Sequence, residues 1–119
     1  MSTTHEVTAH RPLCPGQLNE NLKIVGDGYD YEISWEDNYG SRVRSSMQFQ
    51  HRDPAEGING ITNEALLAIV ADRLEMFQEG PFACEENANA KTNVLLALFH
   101  LTDRTRRRIA EGKEGTQTP

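Results

Sequence analysis

Arginines are concentrated near the carboxyl end of the chain, in the run DRTRRRIAEG. Four of them fall within five positions: Arg104, Arg106, Arg107 and Arg108. The simplest interpretation is a charged helix end that complements the helix dipole. However, this run uses only arginine, whose planar group forms paired hydrogen bonds with phosphate and lies flat on nucleobases. The run therefore favours a phosphate-bearing ligand, with the simpler interpretation left open.

A helical spacing links these arginines to a distant polar residue. Four positions seven residues apart share one stripe of a helix: Asn87, Val94, Leu101 and Arg108. Arg104 lies one turn before Arg108, and Arg108 is about 30 Å from Asn87 along the axis, too far to share a ligand within one chain. If two copies pack antiparallel through the stripe, Asn87 of one copy meets both arginines of the other. The stripe therefore predicts a homodimer, or a higher oligomer built of dimers, with two identical basic pockets.

Other chemistry has little support. The candidate metal ligands show no CxxC, HxxxH or HExxH spacing; they are His5, His10, Cys14, His51, Cys84 and His100. Cys84 near a helix start can be a reactive thiol, although a small packing residue is the more common role. We therefore expect no metal, no cofactor and no catalytic residue, and we do not expect an enzyme.

The composition excludes several classes of protein. A formal net charge of -6 and a pI of about 5.1 argue against a nucleic-acid coat or an anionic-membrane binder. No apolar run is long enough for a membrane span, and the first residues lack a secretory signal, so we expect a cytoplasmic protein. The two cysteines are expected to be reduced. Because only 37% of the residues are hydrophobic, the core must be modest, which favours association with another copy.

The elements that must position the arginines follow a polar start. Residues 1–19, with Pro12 and Pro15, predict a flexible arm. Within residues 20–50, the run YDYEISWE alternates apolar with polar side chains, as in a strand with one wet face. The breaks GDG and DNYG predict hairpin turns. We therefore expect a three-stranded antiparallel β-meander, which is too small to be stable alone.

A helical hairpin is expected to follow the meander. Residues 51–61 predict a loop, residues 62–111 an antiparallel pair of helices and residues 112–119 a tail. Thr62 or Asn63 is suited to cap the first helix, and Gly80 with Pro81 to end it. The second helix should run from about Ala83 to Glu111. The expected fold class is thus α+β, with a single domain over residues 20–119. In this fold Phe77 would lie beside Asn87, where it could serve as an aromatic platform.

These motifs resemble a known family. The segment GINGITNEALLAIVADRLEMFQEGPFACEENANA, followed by RTRRRIAEGKEGTQTP, is similar to the helical-hairpin domain of phage Thoeris anti-defence proteins of the first type. That domain is related to the hairpin of an anti-CBASS sponge family. The resemblance spans roughly residues 57–116 and rests on ACxEN, an Arg-Thr pair and a closing GxEGT in this order. It implies a small sheet before the hairpin.

The resemblance also implies a function and a site. It implies a non-enzymatic sponge in the host cell cytoplasm that sequesters glycocyclic ADP-ribose, the signal of Thoeris defence, and in some members cyclic oligonucleotides. It implies four ligand-binding residues: Phe77, Asn87, Arg104 and Arg108.

The chain departs from the family pattern at two positions. Lys113 stands where an apolar residue is common, and Glu85 where a basic one is common. The second departure removes positive charge near the expected pocket. The alternative to a sponge is a small phage nucleic-acid or protein interaction module that uses the Arg-rich helix end.

Overall fold

A computed structural model of the chain describes residues 4–11 and 18–112, which form an N-terminal sheet and a helical hairpin. The chain divides into two compact units, Met1–His51 and Arg52–Pro119. The α+β fold class is therefore confirmed. The single domain over residues 20–119 stays a prediction, whereas Cys14, Lys113 and the tail beyond residue 112 lie outside the described residues.

The sheet has four antiparallel strands, in the order in which they occur along the chain. They are β1 (His5–Val7), β2 (Lys23–Gly26), β3 (Asp30–Glu36) and β4 (Arg42–Gln48). The predicted alternation is present in β3, where Tyr31, Ile33 and Trp35 are half-buried while Glu32 and Glu36 are exposed. Tyr31, Ile33 and Trp35 therefore share the face predicted to be apolar, whereas Ser34 on the opposite face is buried, so that face is not uniformly exposed to water.

An aspartate closes each of the two predicted hairpin turns. Asp37 Oδ1 accepts hydrogen bonds from the backbone N–H groups of Tyr39 and Ser41, both at 2.9 Å. Gly40 in the same turn has a φ of 78°, which costs glycine little. Asp27 accepts two backbone hydrogen bonds in the same way between β2 and β3. These turns confirm the predicted hairpins.

The N-terminal segment differs from the expectation. We expected no regular element before residue 20, and this was wrong, because β1 pairs with β2 and makes the meander four-stranded. His10 Nε2 also bonds the carbonyl oxygen of Leu22 at 2.7 Å. A short helix, α1 (Leu18–Asn21), then precedes β2. The physical reason is that an uncovered β2 would expose a row of unpaired backbone groups, which β1 satisfies.

Two helices form the second unit, after a 3₁₀ turn at Pro54–Glu56: α2 (Asn63–Gln78) and α3 (Glu85–Ala110). Thr62 caps α2, as predicted, because its side chain accepts a hydrogen bond from the Ala65 N–H at 3.1 Å. Beyond α3, Gly112 has a φ of 71°, the conformation that ends many helices. The helical hairpin is confirmed. No helix in the described part of the chain has both the length and the apolar character that crossing a bilayer requires.

Little of the chain is shielded from water. Among residues 4–11 and 18–112, Ala71 is the one hydrophobic residue that is buried, at 8% exposure. The large apolar side chains are half-buried or exposed. The modest core predicted from the composition is therefore confirmed.

The pairing of β2 with β3 generates the first prediction. Gly26 lies opposite Tyr31, and a Cβ there would overlap the tyrosine ring and approach the Asp30 backbone oxygen to 2.8 Å. We expect Gly26→Ala to lower the free energy of unfolding by about 1–3 kcal/mol, as overpacking does. Trp35 in β3, the one tryptophan of the chain, reports this unfolding by its fluorescence in urea.

Gly80→Ala is the matched control. An added Cβ at Gly80 would lie 3.9 Å from its nearest neighbour, so the free energy of unfolding should change by less than about 0.5 kcal/mol. Equal stabilities of the two alanine variants would contradict the close approach at Gly26.

Candidate functional site

The turn between α2 and α3 is closed by side chains. Gln78, the last residue of α2, accepts a hydrogen bond through Oε1 from the Cys84 N–H at 3.0 Å. Cys84 caps α3, since its Sγ accepts a hydrogen bond from the Asn87 N–H at 3.4 Å. Cys84 is a free, exposed thiol. This local bonding sets Asn87 in the first turn of α3, directly beside the end of α2.

The structure brings Phe77 and Asn87 together through a third residue. The rings of Phe77 and Phe82 have centroids 5.9 Å apart and are tilted by 57°. The Asn87 side chain donates a hydrogen bond from Nδ2 to the carbonyl oxygen of Phe82 at 3.1 Å. We call Phe77, Phe82 and Asn87 the turn cluster. Phe77 and Asn87 therefore lie close together through Phe82, and the role of Phe77 as an aromatic platform stays a prediction.

Sequence reasoning missed two residues at this place. Phe82 is 68% exposed and follows Pro81 in the turn, where no helical or strand pattern marks it. The Arg73 guanidinium lies 5.0 Å from the centroid of the Phe77 ring, a cation–π distance. Its spacing of four residues from Phe77 on one helix was the signal that could have identified it.

The four arginines at the other end of α3 have different surroundings. Arg106 pairs with Asp103 and Arg107 with Glu111, each at 3.7 Å. Asp103 therefore pairs with the arginine three residues on, whereas Arg107 pairs with the acid four residues on. Both ion pairs are largely exposed and contribute little to stability. Arg104 is exposed.

Arg108 is the exception in this group. It is only 5% exposed and has interaction partners within the chain. A buried guanidinium requires partners for its donors, so Arg108 contributes to the fold as well as being a candidate ligand contact.

The stripe that predicted a dimer seam is shielded within a single chain. Half-buried and buried residues of α3 recur every three or four positions along it: Asn87, Lys91, Val94, Leu98, Leu101, Thr105 and Arg108. Lys91 forms an ion pair with Glu75 of α2, so this side of α3 faces α2. The expectation of an exposed seam along this stripe was therefore wrong. The reason is that the hairpin itself needs this face of α3 for packing.

Exposed apolar side chains lie elsewhere on the two helices. They are Ile69, Val70 and Met76 of α2 and Leu95, Leu96, Phe99 and Ile109 of α3. Leu95 and Phe99 are four residues apart and so share one face of α3. This face is therefore one apolar surface, distinct from the stripe, that α3 leaves in water.

The two groups of candidate residues occupy opposite ends of α3. Asn87 lies in its first turn, beside the acidic residues Glu85 and Glu86, whereas Arg104 and Arg108 lie in its last two turns. A continuous helix separates them by about 25–30 Å. The chain therefore presents an aromatic, acidic end and a basic end that no small ligand can bridge. No group of metal-ligating side chains occurs among the described residues.

The burial of Arg108 generates the second prediction. Arg108→Ala removes a buried, partnered guanidinium and leaves its partners unsatisfied, so we expect the free energy of unfolding to fall by about 2–4 kcal/mol. Loss of the helical circular dichroism signal in urea measures this. Arg106→Ala is the matched control, since its exposed ion pair should contribute less than about 0.5 kcal/mol. Equal stability of both variants would rule out a structural role for Arg108.

Comparison with known proteins identifies the hairpin. The family model of the Acb2/Tad1 hairpin domain matches residues 43–106, more than half of the chain. The match includes Phe77, Asn87 and Arg104, and Arg108 follows two residues after its end. Thoeris anti-defense 1 from Bacillus phage SBSphiJ7 is 48% identical to this chain over 60 residues.

Those residues are 50% of this chain and 42% of that relative, so the chain spans less than half the length of the relative it matches. The family model covers both helices of the hairpin that the motifs indicated almost completely. The resemblance inferred from the sequence is confirmed, and the chain belongs to the Acb2/Tad1 hairpin-domain family.

Proposed function

We propose that the chain is a non-enzymatic sponge for a cyclic nucleotide immune signal, through which a phage suppresses Thoeris or CBASS signalling in its host. Its family and a relative named Thoeris anti-defense 1 support an anti-defence role. The observation that carries the proposal is the turn cluster at one end of α3 with Arg104 and Arg108 at the other. The proposed ligand is glycocyclic ADP-ribose, with cyclic oligonucleotides as further candidates.

The chemistry of the two ends suits the two parts of such a ligand. The turn cluster has aromatic rings beside the exposed acids Glu85 and Glu86. The negative charge of these acids repels a phosphate group but does not repel an uncharged nucleobase. Arg104 is exposed and suits a pyrophosphate, because a guanidinium group forms paired, charge-assisted hydrogen bonds with it. Arg108 is the second proposed contact, and because it is only 5% exposed the ligand must reach a largely buried guanidinium. Glu85, where the family often has a basic residue, therefore favours placing the base at the turn and the phosphates at the arginines.

A complete pocket then requires a second copy of the chain. One ligand cannot span α3, so Asn87 of one copy must meet Arg104 and Arg108 of another, as in a twofold dimer. The scarcity of buried apolar residues supports association, since a monomer leaves large apolar side chains of both helices in water.

A sponge must also bind tightly enough to deplete a signal. Nanomolar affinity corresponds to about -12 kcal/mol, which a preformed pocket with several charge-assisted contacts can supply. All three of these arginines are exposed: Arg104, Arg106 and Arg107. Arg106 and Arg107 each form an ion pair with an acidic neighbour, with which a phosphate would compete. Arg104 is therefore the residue through which the phosphate contact is tested without disturbing the fold.

Titration calorimetry with glycocyclic ADP-ribose tests the proposed site. Arg104→Lys keeps the charge but loses the paired hydrogen bonds, so we expect affinity to fall about ten- to a hundredfold. Phe77→Ala should lower affinity by a similar factor through lost stacking. The matched control is Arg106→Lys, which changes an exposed arginine one helical turn or less away and should leave affinity unchanged.

Three results would contradict the proposal. Equal affinities for the wild-type protein and both site variants would refute the site, and absence of saturable binding would refute the sponge. Chemically altered nucleotide after incubation would refute a non-enzymatic role. Binding of DNA or RNA with a steep salt dependence would support the interaction module instead, since polymer binding releases counterions.

Subunit exchange tests whether pockets are shared between copies. In a twofold dimer of one Asn87→Ala chain and one Arg104→Ala chain, both defects fall in one pocket and the other pocket is intact. Random exchange of equal amounts makes about half of the dimers mixed. We therefore expect one occupied site in each mixed dimer, or about a quarter of the wild-type number of sites in the whole mixture.

Exchange of two Asn87→Ala preparations with each other is the control and should restore nothing. Native mass spectrometry confirms the mixed species and counts retained ligand in the same measurement. If binding stays absent after exchange is verified, Asn87 and Arg104 of one pocket do not come from different copies.

A further inference from the structure

Phe82 is an exposed aromatic residue that has no role in the helical packing described above. Its side chain is 68% exposed, whereas Phe77 in the last turn of α2 is half-buried. Burying an aromatic side chain is favourable, so a ring left in water at a tight turn loses that stabilisation. Its exposure therefore makes it a candidate ligand contact.

The backbone of Phe82 is held in place although its ring is exposed. Asn87 Nδ2 donates a hydrogen bond to its carbonyl oxygen at 3.1 Å, and the next residue, Ala83, bonds the Gly80 carbonyl oxygen at 3.2 Å. Gln78 then accepts the Cys84 N–H at 3.0 Å. Because the turn is bonded on both sides of Phe82, its ring projects from a defined position, which reduces the entropy lost on binding.

The neighbouring ring of Phe77 is less accessible to a ligand. The Arg73 guanidinium lies 5.0 Å from its centroid, and the Phe82 ring lies 5.9 Å from it. A base that stacked directly on the face of Phe77 occupied by Arg73 would have to displace that guanidinium. Phe82 offers aromatic surface at the same end of the hairpin without this displacement.

We propose that Phe82 contacts the ligand directly, as a second aromatic surface against which the nucleobase packs beside the ring of Phe77. This inference rests on the proposed function, because it assigns a further residue to the same site. In this arrangement Asn87 has a second role, which is to position Phe82. Its Nδ2 is committed to the Phe82 carbonyl oxygen, so Asn87 fixes the position of the stacking surface as well as lying beside the ligand.

Two substitutions at position 82 test this assignment by calorimetric titration of glycocyclic ADP-ribose. Phe82→Leu keeps an apolar side chain but removes the aromatic face, so we expect affinity to fall about five- to a hundredfold. Phe82→Tyr keeps the ring, and its affinity should stay within about threefold of wild type. Urea unfolding of both variants should match wild type, because the side chain is exposed.

The outcomes separate this inference from the proposed function. Tyr39→Leu, a change at a 92% exposed aromatic residue in the β3–β4 turn, is the control and should leave affinity unchanged. If Phe82→Leu binds within about threefold of wild type while Phe77→Ala and Arg104→Lys bind weakly, the sponge stands and the role of Phe82 is refuted. If Phe82→Tyr binds as weakly as Phe82→Leu, stacking is refuted. Failure of the wild-type protein to bind refutes the proposed function itself.

Discussion

The packing of α2 against α3 is the interaction on which the candidate site depends. It is made by half-buried side chains at helical spacing, with an ion pair between Lys91 and Glu75 and with Ala71 as the one buried hydrophobic residue among those described. This packing places the end of α2 beside the start of α3, and so brings Phe77 to Asn87. It also uses the apolar stripe of α3 within the chain, which leaves a different apolar face of α3 exposed.

Much of the fold follows from local sequence patterns. The alternation in β3, the Asp and Gly residues of the turns and the Thr62 cap each act over a few residues, so the sequence reveals them. By contrast, β1 has only three residues and no pattern of its own. It forms because β2 offers an edge to pair with, which is a property of the assembled sheet.

The site could be predicted in part, for a similar reason. A short turn must bring Phe77 near Asn87, and seven-residue spacing must align Asn87 with Arg108, so both relations follow from sequence. The burial of Arg108 does not, because arginine is usually exposed and its shielding depends on tertiary neighbours. Phe82 was missed because a single aromatic residue in a turn has no periodic neighbours to mark it.

The uninterrupted course of α3 has a consequence for how the chain can vary. Because Asn87, Arg104 and Arg108 lie on one helix, the length and phase between them are fixed by residue count and not by packing. Deleting one residue between Asn87 and Arg104 would rotate the arginines by about 100°, whereas a seven-residue deletion would nearly keep the phase and shorten the span by about 10 Å. Changes in the length of α3 would therefore alter the distance between the turn cluster and the two arginines, which substitutions along the helix would not.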